Sequence, residues 1–339
     1  MITSTLEINA MSQRDRADEI LGVKERNPLG HRFGSYGLNS LQSQWTKTCK
    51  NKECTPDFFV IRAVTLLEVF TRGNVAELID HGTEYANRAI ELSKNLKMDF
   101  ALVQGIQGRA ITLGDIVAHN ISVNSFSQMF GHFETLLGRP LRELLVCAVD
   151  RWSVEIEKKR PRPIIGDFDI LARSLTRLFE VRHIVCHETP RKPVYVTGEV
   201  DEFLNEAIQF CKALEEVLTF ERFGLVPLTQ TEMNIDAGRS LRKKEEELNQ
   251  LLAEIRAKVK VTDDARSAIA DKNTDGSWLH CLNDAEEKWL AYRNAQCEFD
   301  TYLNRGGTIR PTLWAGEATR LSDIRIAELR SWLRRESES

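Results

Sequence analysis

Seven cysteines in 339 residues, at positions 49, 54, 147, 186, 211, 281 and 297, are too scattered to build a disulfide framework, and their number is odd. They read as reduced thiols, Cys49 and Cys54 included, because the spacing of these two from His31 matches no zinc pattern. No apolar run approaches the roughly eighteen residues of a membrane span. The start, Met1-Ile2-Thr3-Ser4-Thr5-Leu6-Glu7, lacks the basic and apolar regions of an export signal. Neither sign of charge dominates, since 46 Lys and Arg face 50 Asp and Glu for a net of −4. A nucleic-acid partner would therefore need a local basic patch rather than a global field. Together these absences predict a cytoplasmic protein with no membrane partner, no metal site and no cofactor.

What is present is helical periodicity. The 42% hydrophobic content suits a globular chain, and the length suits two domains. Apolar residues recur every three or four positions. They do so at Phe59, Ala63, Leu66, Leu67 and Phe70, at Phe126, Met129, Phe130, Phe133 and Leu137, and at Phe203, Ala207, Phe210, Leu214 and Leu218. The same spacing returns at Leu241, Leu248, Leu252, Ile255 and Val259, and at Trp278, Leu282, Ala285, Trp289, Tyr292, Gln296, Phe299 and Leu303. The fold class is all-α. Residues 1–55 read as a polar extension, with Asn27 through Gly37 as loop. Residues 56–222 read as a helical domain, 223–239 as a linker, and 240–333 as a compact unit of three helices.

Residues capable of chemistry gather at Arg182, His183 and His187, near the end of a helix-like run from Ile165 to Cys186. Histidine can take or give a proton near neutral pH. Arginine offers a permanently charged fork suited to phosphate oxygens. Such a pair could cleave RNA without metal, the histidine moving the proton and the arginine holding the charge that develops on phosphorus. The alternative is a capping histidine with Arg182 paired to a nearby acid. On a straight helix Arg182 and His187 stand about 140° apart, so they converge only at a distorted helix end or across a dimer. A second Arg-x4-His, Arg26 to His31, holds Pro28 and Gly30 and is set aside. The strongest basic cluster is Lys158, Lys159, Arg160 and Arg162, a candidate RNA contact or simply a solvated loop.

This arrangement of long helices, an Arg-x4-His at a helix end, a loop and a closing helix resembles the HEPN superfamily over about residues 56–222. The resemblance implies a HEPN-like helical bundle acting as a metal-independent endoribonuclease. Arg182, His187 and His183 would be its catalytic residues, with Glu68 supporting the arginine. It implies a homodimer with both motifs in one cleft, and a biological role as a toxin or antiphage effector.

The segment Trp289-Leu290-Ala291-Tyr292-Arg293-Asn294-Ala295-Gln296-Cys297, with Gly306-Gly307 and Leu321 through Leu329 following, resembles the LprI-type lysozyme-inhibitor family over about residues 240–333. The resemblance implies a small helical domain that binds a protein partner. Family members are typically secreted and use cysteine pairs, but here Glu317 stands where Cys297 would find its partner, which predicts no disulfide. The two resemblances give two functions. One is a ribonuclease carrying a sensor or partner-binding module. The other is a non-catalytic HEPN-containing protein whose LprI-like domain grips a lysozyme-like or other protein.

Overall fold

The computed structural model describes residues 16–26, 34–51, 55–94, 96, 100–188, 192, 194–267 and 277–338. Every regular element among them is helical, and the only extended pairing is one bridge between Val149 and Pro163. The helices are α1 (residues 16–26), α2 (Gly34–Asn51), α3 (Pro56–His81), α4 (Thr83–Arg88), α5 (Phe100–Ile106), α6 (Leu113–Asn120) and α7 (Phe126–Leu137). They continue with α8 (Leu141–Cys147), a π-helical turn at Trp152–Ile156, α9 (Phe168–His187) and α10 (Thr197–Phe223). The last are α11 (Gln230–Ser267), α12 (Trp278–Asp300), a short 3-10 turn (Tyr302–Asn304) and α13 (Arg310–Glu338). The chain divides into two compact units between Val226 and Pro227.

In the first unit α3 is the centre. It buries residues on nearly all sides, among them Val60, Ala63, Leu67, Phe70, Asn74, Val75 and Leu78. A helix apolar over most of its circumference must be surrounded, and α3 packs against α2, α4, α6, α7, α9 and α10. Pro56 opens it, where a missing N–H costs nothing. Two glycines permit the closest approaches. A Cβ on Gly114 would lie 2.2 Å from the Ala76 carbonyl oxygen of α3, and one on Gly34 would lie 2.2 Å from the Phe70 ring.

Residues 1–55 are not merely a polar extension. Ala17, Ile20, Leu38, Leu41 and Trp45 are buried, and the Trp45 indole N–H donates to Asp201 Oδ1 at 2.8 Å. Leu38, Leu41 and Trp45 recur at spacings of three and four, a helical stripe lost among polar neighbours. Helix α2 also begins at Gly34, inside the stretch expected as loop. His31 and Cys54 lie outside the described residues, as does the side chain of Cys49.

Among its described residues the second unit holds three α-helices, α11, α12 and α13. Residues 230–239, expected within a linker, form the first turns of α11. Leu248, Leu252, Ile255 and Val259 of α11 pack with Ile326 and Leu329 of α13, with Trp278, Trp289 and Trp332 alongside. A second apolar cluster holds Leu241, Cys297, Ala315, Ala318 and Leu321. Arg293 also lies inside this unit. Its guanidinium donates to Glu245 Oε1 of α11 at 3.0 Å and to Ser322 Oγ of α13 at 3.3 Å, and sits 5.6 Å from the Trp289 ring centre. One side chain thus fixes all three helices. Arg325 of α13 adds a tie between two of them, donating from Nε to Glu286 Oε1 of α12 at 3.1 Å.

Candidate functional site

Helix α9 carries the Arg-His motif. The Asp167 carboxylate caps its start by accepting from the N–H groups of Asp169 and Ile170 at 2.8 and 3.1 Å. Leu171, Leu175, Leu178, Phe179 and Val181 bury one face against the bundle. That packing places Arg182 beside α3, where its Nη2 lies 3.4 Å from Glu68 Oε1. Both side chains are about three-quarters covered, with 28% and 24% exposed. Burial raises the Glu68 pKa above its ordinary value, while Arg182 and Arg72 pull the other way. Arg72, four residues on, turns instead to the end of α6. It donates from Nη1 to the Ala118 and His119 carbonyls at 2.7 and 3.1 Å. These carbonyls, left over at a helix C-terminus, are natural acceptors.

His183 and His187 share an exposed face, four residues apart, with ring centres 5.0 Å apart. Among the described residues no hydrogen bond or ion pair joins Arg182 to either histidine. The helix remains regular through the motif, since Glu188 N–H still donates to the Ile184 carbonyl at 2.9 Å. A distorted helix end therefore does not bring Arg182 and His187 together. Within one chain the two remain about 140° apart around the axis.

The basic cluster precedes α9 in the chain. A helix of this length puts Phe168 and His187 about 28 Å apart, and the cluster precedes Phe168. Its loop is pinned at the base, where Ile164 N–H donates to the Ala148 carbonyl at 2.9 Å and Val149 bridges Pro163. Lys158 adopts a left-handed φ of 58° and donates to the Glu155 carbonyl at 2.5 Å. Lys159 pairs with Glu157 at 2.6 Å. Arg160 and Arg162 are exposed, and no ion pair to either is present among the described residues. The basic residues precede the start of α9, and among the described residues no hydrogen bond or ion pair joins them to His183 or His187. Exposed Trp152, on the π-helical turn of the same loop, was missed because a lone tryptophan carries no periodic signal.

In the second unit the family-like residues divide by direction. Trp289, Arg293 and Cys297 face inward, and Tyr292 faces solvent. Cys297 is a free, fully buried thiol. Burial and the nearby Glu317 carboxylate raise its pKa. Glu317 itself pairs with Arg320, whose Nε donates to it at 2.8 Å. The inward set links three helices, and among the described residues no nucleophile–base pair accompanies it. Tyr292 leaves its ring 55% exposed on the outer side of α12. No helix among the described residues is long and apolar enough to cross a membrane.

Comparison with known proteins bears on this second unit. Residues 227–329 match the family model described as Lysozyme inhibitor LprI. The chain is also 33% identical over 103 residues to an uncharacterised protein of Rhizobium meliloti (strain 1021), an alignment covering 30% of this chain and 73% of the relative. No solved structure matches the chain.

Proposed function

We propose, for a chain whose residues 227–329 match the family model of the LprI lysozyme inhibitors, that the second unit is a protein-recognition module whose partners include lysozyme-like proteins. The observation that carries this reading is the division of α12. Its charged and polar family residues are spent on internal cohesion, and aromatic side chains are left at the surface, which suits binding to a protein. The test is kinetic. Lysozyme clearing of a peptidoglycan suspension is followed with the full chain added at about 10 μM, a concentration that half-saturates even a weak micromolar complex. A concentration-dependent loss of clearing is expected for at least one lysozyme class. Unchanged clearing, together with no complex in solution, removes the reading.

A second reading is favoured by one contact, that of Arg182 with Glu68. A largely buried carboxylate holding a motif arginine near two exposed histidines is what a metal-independent RNA cleavage site of HEPN type needs. Since Arg182 and His187 do not meet in one chain, this activity would require a homodimer through the first unit, with both motifs in a shared cleft. A toxin or antiphage role would follow from such an activity. Incubating purified protein with total RNA in EDTA tests it. The wild-type chain should produce 2′,3′-cyclic phosphate ends, and His187→Ala should slow cleavage by about a hundredfold. Equal cleavage by wild type, His187→Ala and Arg182→Ala would assign the activity elsewhere.

A further inference from the structure

The segment between α8 and α9 doubles back on itself. Its π-helical turn, Trp152–Ile156, starts at Asp150, whose carboxylate accepts from Ser153 N–H at 3.0 Å and Ser153 Oγ–H at 2.9 Å. Lys158, with its left-handed φ of 58°, ends the turn, and Lys159 N–H donates back to the Ser153 carbonyl at 3.0 Å. The chain then returns beside the limb it came from. Val149 bridges Pro163, and Ile164 N–H donates to the Ala148 carbonyl, so the returning limb is fixed at both ends. Arg160 and Arg162 lie on that limb, alongside residues 150–152.

Local chemistry sets these two arginines apart from the lysines before them. Each precedes a proline, Pro161 or Pro163, which holds the arginine backbone extended. Their presentation is therefore fixed before anything binds, which lowers the entropy lost on binding. They are also the charges left over. Glu155 receives Arg151 Nε at 2.8 Å and Nη2 at 3.2 Å, Glu157 pairs with Lys159 at 2.6 Å, and Asp150 holds Ser153. Lys158 turns to the Glu155 carbonyl. Arg160 and Arg162 are exposed, with no ion pair among the described residues. On the opposite limb Trp152 leaves its ring 50% exposed.

We infer that this loop binds single-stranded nucleic acid, with Arg160 and Arg162 on adjacent phosphates and the Trp152 indole stacked on a base. Two residues of extended chain reach about 7 Å, the scale of one nucleotide step along a single strand. Guanidinium forks suit phosphate oxygens. An exposed indole suits any unpaired base, since every base has a π-face. An acidic peptide would engage the arginines and leave the indole idle. A duplex would hide its bases from it. A membrane surface needs a broader apolar face than one indole. Of the four basic residues read from the sequence, Lys158 and Lys159 are spent inside the loop, and Trp152 joins the two arginines in their place. The inference stands apart from cleavage at Arg182 and His187, and a DNA strand, which lacks the 2′-hydroxyl, isolates it.

The probe is a fluorescein-labelled oligothymidylate of about 12 nucleotides, within the site sizes that single-strand binders cover. Fluorescence anisotropy follows its binding to the full chain from about 50 to 200 mM salt. The chains are wild type, Trp152→Ala, Trp152→Phe, Arg160→Ala/Arg162→Ala and Arg242→Ala, the last an exposed arginine of the second unit that serves as control. Trp152, Arg160 and Arg162 are exposed, so every variant should keep wild-type helicity by circular dichroism. Wild type should bind the strand. Trp152→Ala should weaken binding at least about fivefold, the scale of one lost base stack, and Trp152→Phe should restore most of it. The double arginine variant should flatten the slope of log K against log salt by about 1.4, or about 0.7 for each phosphate contact. Arg242→Ala should match wild type, and loss of Trp152 should leave duplex binding unchanged. A wild-type chain that does not bind the strand overturns the inference. So does strand binding that the loop variants leave intact, or loop-dependent binding to phosphatidylcholine–phosphatidylserine vesicles in place of the strand. RNA cleavage without strand binding at the loop would remove this inference and keep the cleavage reading, and strand binding at the loop without cleavage would do the reverse.

Discussion

Removal of Arg325 should damage the second unit more than removal of the whole pair it belongs to. Arg325 Nε donates to Glu286 Oε1 at 3.1 Å, and the Glu286 side chain is only 8% exposed. The carboxylate is thus held out of water by the packing of α12 on α13, with Arg325 its neutralising partner. Replacing Arg325 by Met keeps the volume but strands a buried negative charge. Losing one member of a buried pair costs about 3–5 kcal/mol, whereas replacing both members by apolar groups is often neutral or stabilising. Arg325 is itself 19% exposed, so water can partly reach the site and the lower end, about 3 kcal/mol, applies. For a unit of roughly 110 residues, each kcal/mol moves the melting point by about 4 °C, which predicts a fall of about 12 °C. Differential scanning calorimetry of the full chain reads it directly as a shift of the second unit's transition. The Glu286→Met/Arg325→Met double variant should melt within a few degrees of wild type. An Arg325→Met chain melting like wild type, or a double variant as unstable as the single one, would refute the reasoning.

Three further outcomes follow. Gly114→Ala should destabilise the first unit by about 2–3 kcal/mol in urea denaturation, since its Cβ would meet the Ala76 backbone oxygen at 2.2 Å and only a shift of α6 relieves it. Burial raises the Glu215 pKa, although the Ser35 N–H and Oγ–H donate to its carboxylate at 3.0 and 2.7 Å and pull it down. A raised folded-state value means the native state binds the proton more tightly, so this residue's destabilising contribution is full above the folded pKa and fades as pH falls towards the ordinary carboxylate value. Urea midpoints measured from neutral pH down to that range should therefore show a smaller acid-side gain in Glu215→Gln than in wild type, and identical slopes would contradict it. Arg293→Met should destabilise the second unit less than Arg325→Met does, because Glu245, which it strands, is 37% exposed and can be rehydrated; paired calorimetric melts decide the order.

How far the sequence could be read depended on the kind of signal each residue carries. Helical spacing found α3, α7, α9 and α10 because each buries a wide apolar face. It missed the burial of α2, whose three inward residues are diluted by polar neighbours. It placed the linker too far along the chain, since Thr229 and Glu232 form a polar helix start that resembles loop composition. The Arg182–Glu68 contact was expected from the HEPN resemblance and not from spacing, which shows that both helices are amphipathic but not which of their residues meet. The choice Arg72 makes was not legible, since an i,i+4 ion pair with Glu68 and a reach to the end of α6 have the same sequence signature. On α12 Tyr292 and Phe299 share the spacing of Leu282 and Trp289, yet they are exposed while those two pack inward. Spacing shows which residues share a face, and it does not show which face is covered.

Isothermal titration of a purified lysozyme into the full chain tests most directly whether the second unit is a recognition module. The predicted result is saturable binding at a fixed stoichiometry with a negative heat-capacity change, the mark of apolar surface buried on association. Absence of heat and of complex across lysozyme classes, with the protein folded and at concentrations well above micromolar, would contradict it.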